Sequence, residues 1–151
     1  MWRGAAVVDG KIAYFRIGGS SVVHAYDPPT QQWSTLPECP QVNFSLAVIN
    51  GLLTAIGGNL SGQATNTLLS LAGEDRGRKW MEKFPPMPTK RWSTAAVCSV
   101  KSLIVAGGTT GTGRYTDNLA TVEVMDTETC QWLTATDISQ CPIPPQWPDC
   151  L

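Results

Sequence analysis

Apolar residues fall into short runs, divided by glycine, proline and polar clusters. Ala5–Val8, Leu46–Ile49 and Ala95–Cys98 are brief and carry mostly small apolar side chains. Such segments suit strands packed tightly near an axis. A second run follows each of them. In the last case it is Ser102-Leu103-Ile104-Val105-Ala106, a nearly continuous apolar stretch expected of a strand buried on both faces. Val122-Glu123-Val124-Met125-Asp126 alternates instead, which predicts a strand with one more solvated side. Leu68-Leu69-Ser70-Leu71-Ala72 has helical propensity but occupies the place of a third strand, and is assigned as strand. Gln131–Thr134 reads as a short outer strand. Asp126-Thr127-Glu128-Thr129 is a polar turn. Its counterpart, Asp27-Pro28-Pro29-Thr30, holds two prolines that enforce the reversal. No segment keeps a helical period beyond two turns. The tail from Ser139, with Pro142, Pro144, Pro145 and Pro148, is expected to be irregular.

These runs repeat in register. The three small-residue strands lead to Gly18-Gly19, Gly57-Gly58 and Gly107-Gly108, and each glycine pair is followed by a tryptophan, Trp33, Trp80 and Trp132. Turn phrases come next: Leu36-Pro37-Glu38, Phe84-Pro85-Pro86-Met87-Pro88 and Thr136-Asp137-Ile138. A repeat of this kind means stacked supersecondary units. Each unit reads as four strands, over about 3–36, 42–84 and 91–136. Residues 138–151 form the irregular tail or the start of a fourth unit. The first unit is longer before its glycines and turns through only Gly18-Gly19-Ser20-Ser21. The second ends its third strand in Leu71-Ala72 rather than Tyr-Asp, followed by Gly73-Glu74-Asp75-Arg76-Gly77.

Composition agrees with an all-β reading. Only 15% of the 151 residues are charged, and 14 Gly and 11 Pro are present. Low charge with many turn residues favours short strands over long helices. The net charge of -1, from 11 basic and 12 acidic residues, supplies no positive field for nucleic acid or an anionic membrane. The amino-terminal apolar stretch Ala5–Val8 is too short for a signal peptide, and no run approaches a membrane span. A cytoplasmic chain is therefore expected. Its five cysteines, Cys39, Cys98, Cys130, Cys141 and Cys150, make no C-x-x-C and are expected to be reduced. The sequons Asn43-Phe44-Ser45 and Asn59-Leu60-Ser61 are then chance matches.

The line Gly107-Gly108…Val122-Glu123-Val124-Met125-Asp126…Trp132 resembles a kelch repeat, and Met87-Pro88-Thr89-Lys90-Arg91 looks like that family's Met-Pro-x-x-Arg lead-in to a blade. The resemblance covers Arg3 to about Asp137. It implies an all-β, kelch-type β-propeller fragment of about three four-stranded antiparallel blades. Gly18, Gly19, Gly57, Gly58, Gly107 and Gly108 are expected to turn the chain with positive φ. Trp33, Trp80 and Trp132 are expected to fill the wedges between blades, each ring N–H finding a partner. A closed propeller needs roughly four to eight blades. The first expectation is that sequence beyond this chain supplies the rest. The alternative is a homodimer of two three-blade copies closing a six-bladed ring.

No catalytic pattern is present. There is neither a Gly-x-Ser-x-Gly elbow nor a Gly-x-x-x-x-Gly-Lys loop. The glycine-rich segment 107–113 lacks the lysine and following helix that phosphate binding requires. His24 lies in an alternating strand without a neighbouring carboxylate, and reads as a packed strand residue. Some kelch-like propellers are copper oxidases with Tyr and His ligands; a single histidine does not furnish that set. No metal, cofactor or catalytic residue is expected.

Kelch propellers usually receive a protein or peptide on loops at one face. The loops after the glycines are Gly18–Ser21, Gly57–Asn66 and Gly107–Ala120. The last contains Arg114, Tyr115 and Asp117. The lead-ins add Lys90, Arg91 and Trp92, with Trp2 and Arg3 at a similar place in the first unit. Arg, Tyr and Trp are the types that anchor interfaces. Together these are the candidate partner-binding residues of a non-catalytic protein-interaction module. Where a BTB domain precedes such a propeller, the resemblance implies a ubiquitin-ligase substrate as the partner.

Overall fold

A computed structural model describes residues 3–8, 10–16, 20–74, 76–111 and 118–133, with backbone alone at 3–4 and 13–16. The described chain is three four-stranded sheets, each antiparallel and each laid out in sequence order. The first contains β1 (Arg3–Val8), β2 (Lys11–Arg16), β3 (Val23–Asp27) and β4 (Gln32–Thr35). The second contains β5 (Ser45–Ile49), β6 (Leu52–Leu60), β7 (Gln63–Ala72) and β8 (Lys79–Glu82). The third contains β9 (Ala95–Cys98), β10 (Ser102–Ala106), β11 (Val122–Asp126) and β12 (Trp132–Leu133). No helix interrupts the described strands, so Leu68–Ala72 is strand despite its propensity.

The small-residue strands are innermost. β1 packs beside β5, and β5 beside β9. Ala5, Val7, Leu46, Val48, Ala96 and Cys98 line the space of about 290 Å³ between them. Side chains that alternate along each strand serve two different neighbours. From the second sheet, Phe44, Leu46, Leu53, Ala55 and Leu71 meet Val23 and Cys39, with Ala6 and Val8 packed alongside. Ala47, Ile49, Ile56 and Leu68 point the other way, to Leu103, Val105 and Met125, with Ala96, Cys98 and Trp132 alongside. Met87, in the link between sheets, is buried in this second cluster.

Burial follows position in the stack. The middle inner strand β5 is almost wholly buried, whereas β9 alternates between exposed and half-buried. Ala5 and Val7 of β1 are likewise exposed. The tryptophans follow the same rule. Trp80 donates its indole N–H to Pro37 O at 2.8 Å, and Trp132 to Pro85 O at 3.1 Å. Both are the expected wedges. Trp33 corrects the expectation: it is 53% exposed and meets Tyr26 with ring centroids 4.8 Å apart. Its side of the first sheet is covered by no other described sheet.

One expected loop is not a loop. The segment 57–66 continues the sheet as β6 and β7, which turn through Ser61-Gly62. Both turn residues are left-handed, with φ of 52° and 86°, and Asn59 Oδ1 accepts Gly62 N–H at 2.8 Å. That geometry matches the right-handed twist of paired strands. A register shift between Ile56 and Gly58 lets the strands pass the glycine pair.

Candidate functional site

The turns joining second to third strands lie at one end of the sheets, with the links that lead into the next sheet. At Val42 and Trp92 these links form isolated antiparallel bridges with Asn59 and Thr109, the residues just after each glycine pair. The close approach explains the glycines. A Cβ on Gly58 would lie 2.7 Å from Val42 O, and one on Gly108 2.7 Å from Trp92 O. Both residues also have positive φ, 119° and 86°. Gly18 and Gly19 lie outside the described residues.

Arg91 is the clearest correction. It was expected to meet a partner, but it is fully buried, at 0% exposure. Its Nη1 donates to Gly107 O at 2.9 Å and Thr121 O at 3.2 Å, and its Nη2 to Thr121 Oγ1 at 3.1 Å. Nη2 also pairs with Glu123 Oε1 at 3.0 Å. The main chain of Arg91 is occupied as well: its N–H donates to Thr65 O and its carbonyl accepts from Gly58 N–H, both at 2.9 Å. Arg91 therefore bolts the third sheet to the second. The same pair explains why Glu123, the polar position of an alternating strand, is only 2% exposed. Arg91 Nε and Glu123 Oε2 are buried without a hydrogen-bond partner, so the ion pair is single-point rather than forked.

Gln41 is a residue the sequence reading missed. It precedes Val42 as Arg91 precedes Trp92, and it is buried at 2% exposure. Its Nε2 donates to Thr65 Oγ1 at 3.1 Å and to Thr67 Oγ1. Thr67 stands one residue before Leu68, as Thr121 stands before Val122. The second sheet thus holds an uncharged version of the third sheet's lock, with Leu69 in the place of Glu123. The shared spacing of Gln41 and Arg91 ahead of their strands was the available signal.

The remaining candidates divide. Lys90 is exposed. Trp92 is half-buried, and its indole N–H donates to Gly111 O at 2.9 Å, shaping the start of the third loop. Arg3 does not lie in a lead-in. It is within β1, opposite Arg16, because the strand begins earlier than expected. Trp2, Arg114, Tyr115 and Asp117 lie outside the described residues. The structure therefore brings Lys90, Trp92 and Gly111 to one end, beside the projecting β6–β7 hairpin. Thr65 and Asn66 of that hairpin are bonded to the lead-in: Arg91 N–H to Thr65 O, Met87 N–H to Asn66 O at 2.8 Å, and Asn66 Nδ2 to Met87 O at 2.8 Å. Its tip residue Leu60 is 48% exposed.

No chemistry of another kind gathers here. His24 is half-buried in β3, opposite Tyr14 and Thr35. Among the described residues no three His, Cys, Asp or Glu side chains come together to hold a metal ion. Burial pushes the Cys39 thiol up to about 11 and raises that of Cys98, so both stay protonated and poorly nucleophilic at neutral pH.

No family model matches the chain. Two curated relatives do. Kelch-like protein 25 of Xenopus tropicalis is 30% identical over 148 residues, covering 93% of this chain and 24% of the relative. Kelch-like protein terF of Aspergillus terreus (strain NIH 2624 / FGSC A1156) is 26% identical over 136 residues, covering 88% of this chain and 29% of the relative. The chain thus spans about a quarter of the length of these relatives. Three sheets of four antiparallel strands in sequence order, paired glycines pressed against the lead-ins, and two Kelch-like relatives aligned along most of its length place this chain in the kelch-repeat family.

Proposed function

We propose that the chain is a non-catalytic protein-interaction module that binds a protein or peptide at the end of the sheets carrying Lys90, Trp92, Gly111 and the β6–β7 hairpin. The observation that carries this reading is the rigid presentation of that end. The hairpin is bonded on one edge to Val42 and on the other to Met87 and Arg91, and it holds a 48% exposed leucine at its tip. A surface ordered before binding loses little conformational entropy on association. The third loop, with Arg114, Tyr115 and Asp117, adjoins it in sequence and belongs to the same proposal. In a longer polypeptide carrying a BTB domain, this surface would receive a ubiquitin-ligase substrate, and a cytoplasmic location goes with that role.

The test compares the proteins recovered from cells by the tagged chain with those recovered by Leu60→Asp, Lys90→Glu and Tyr115→Ala. Lys101→Glu, in the β9–β10 turn at the opposite end, is the control. Partners lost with the first three and kept with the control support the surface. Partners kept by all three, or lost only with the control, overturn it.

A further inference from the structure

The outer faces of the first and third sheets differ from the buried faces of the second in coverage, not in chemistry. Leu53, in the second sheet, is 2% exposed and packs toward the first; Ile12 holds its position in the first sheet and is 39% exposed. Ala47 and Thr54, on the other side of the second sheet, are 5% and 0% exposed. Their positions in the third sheet belong to Val97 and Ile104, at 60% and 38%. Val7 and Trp33 extend the first open face, at 62% and 53%, and Leu133 the second, at 54%. None of these residues is charged.

We propose that the 151-residue chain pairs with a second copy of itself, the first sheet of each seated on the third sheet of the other, in a six-bladed ring with twofold symmetry. The argument is continuity with the two interfaces inside the chain. Each of those joins the following face of one sheet to the preceding face of the next. The two open faces are one of each kind, so one copy offers what another lacks, and a second copy covers both at once. Two like faces placed together would pair kinds that neither internal interface pairs. Closure at six stays within the roughly four to eight blades that propellers use, and it removes apolar area that a lone chain would leave in water.

The experiment is light scattering and thermal melting of the full chain at two concentrations, with Ile12→Asp and Ile104→Asp alone and mixed in equal amounts. Both positions face solvent in a lone chain, so neither change should unfold it, and circular dichroism checks that; Val97→Lys is a second probe of the third face. The wild type should show twice the monomer mass and a melting temperature that rises with concentration. Each variant alone should be monomeric. The mixture should regain dimer, because the unaltered third sheet of one variant still meets the unaltered first sheet of the other. A cooperative monomer at both concentrations, a dimer indifferent to the variants, no recovery on mixing, or a chain without a cooperative transition would each overturn the proposal.

Discussion

Arg91→Leu should be among the most damaging single changes in this protein. It removes the ion pair at 3.0 Å and three hydrogen bonds, to Gly107 O, Thr121 O and Thr121 Oγ1. The larger part of the loss comes from what stays behind. Glu123 is 2% exposed, and without Arg91 its charge is buried and unpaired. Removing one partner of a buried pair costs about 3–5 kcal/mol. Glu123→Leu, leaving the cation, should cost a similar amount. The second sheet indicates the rescue, since it holds Gln41 and Leu69 at the matching positions. The double change Arg91→Gln/Glu123→Leu should cost about 1 kcal/mol or less, as apolar or neutral replacements of buried pairs do. The assay is urea denaturation of the full chain, followed by tryptophan fluorescence, in a double-mutant cycle. Contacting residues in one network show coupling of about 0.5–3 kcal/mol. Single changes costing under about 0.5 kcal/mol, or a double change as costly as both singles together, would refute the reasoning.

Three further outcomes can be checked. Gly58→Ala should lower stability by more than about 1 kcal/mol, because φ is 119° and Val42 O would lie 2.7 Å from the new carbon; Gly62→Ala, with open space around it, should cost less, and equal denaturant midpoints for the two would contradict this. Cys39, with its thiol pushed up to about 11 by burial, should react with iodoacetamide at pH 8 far more slowly in the native chain than in urea, as read by peptide mass spectrometry; equal rates would show that the site opens readily. The Asp126 carboxylate accepts the Thr129 and Glu128 N–H groups, both at 2.8 Å, which hold it below its usual 3.8. A depressed folded value means its stabilising contribution is present above 3.8 and lost as pH falls through the lower folded value. The melting-temperature gap between wild type and Asp126→Asn should therefore shrink between pH 5 and pH 2, and a gap that widens in acid would reverse that sign.

Much of the architecture was legible because it is written in local spacing. Small-residue strands, paired glycines and later tryptophans recur in register, and they map onto inner strands, tight corners and outer clasps. What escaped the sequence depends on partners far along the chain. Arg91 has the composition of an interface anchor, and only the fold reveals that Glu123 and Thr121 are waiting for it. Glu123 sits in an alternating strand, where a carboxylate ordinarily marks the wet side. Trp33 has the motif of a wedge but lacks a described sheet in front of it. The β6–β7 extension was readable in principle, since Ser61-Gly62 is a two-residue turn between residues that pair across it. The glycine pair, taken as the end of the strand, concealed it.

The bonds from Trp80 to Pro37 and from Trp132 to Pro85 have a consequence for how the chain comes apart. Each clasps the last strand of one blade to the segment leaving the blade before it. The two apolar clusters likewise join only sequence neighbours. Stability is then passed along a line, as in other repeat proteins, through nearest-neighbour couplings rather than one shared centre. The middle sheet is coupled twice and the outer sheets once. Amide exchange should be slowest in β5 to β8, and opening should begin at the two ends and travel inward. A lesion in the third sheet reaches the first only by loosening the second.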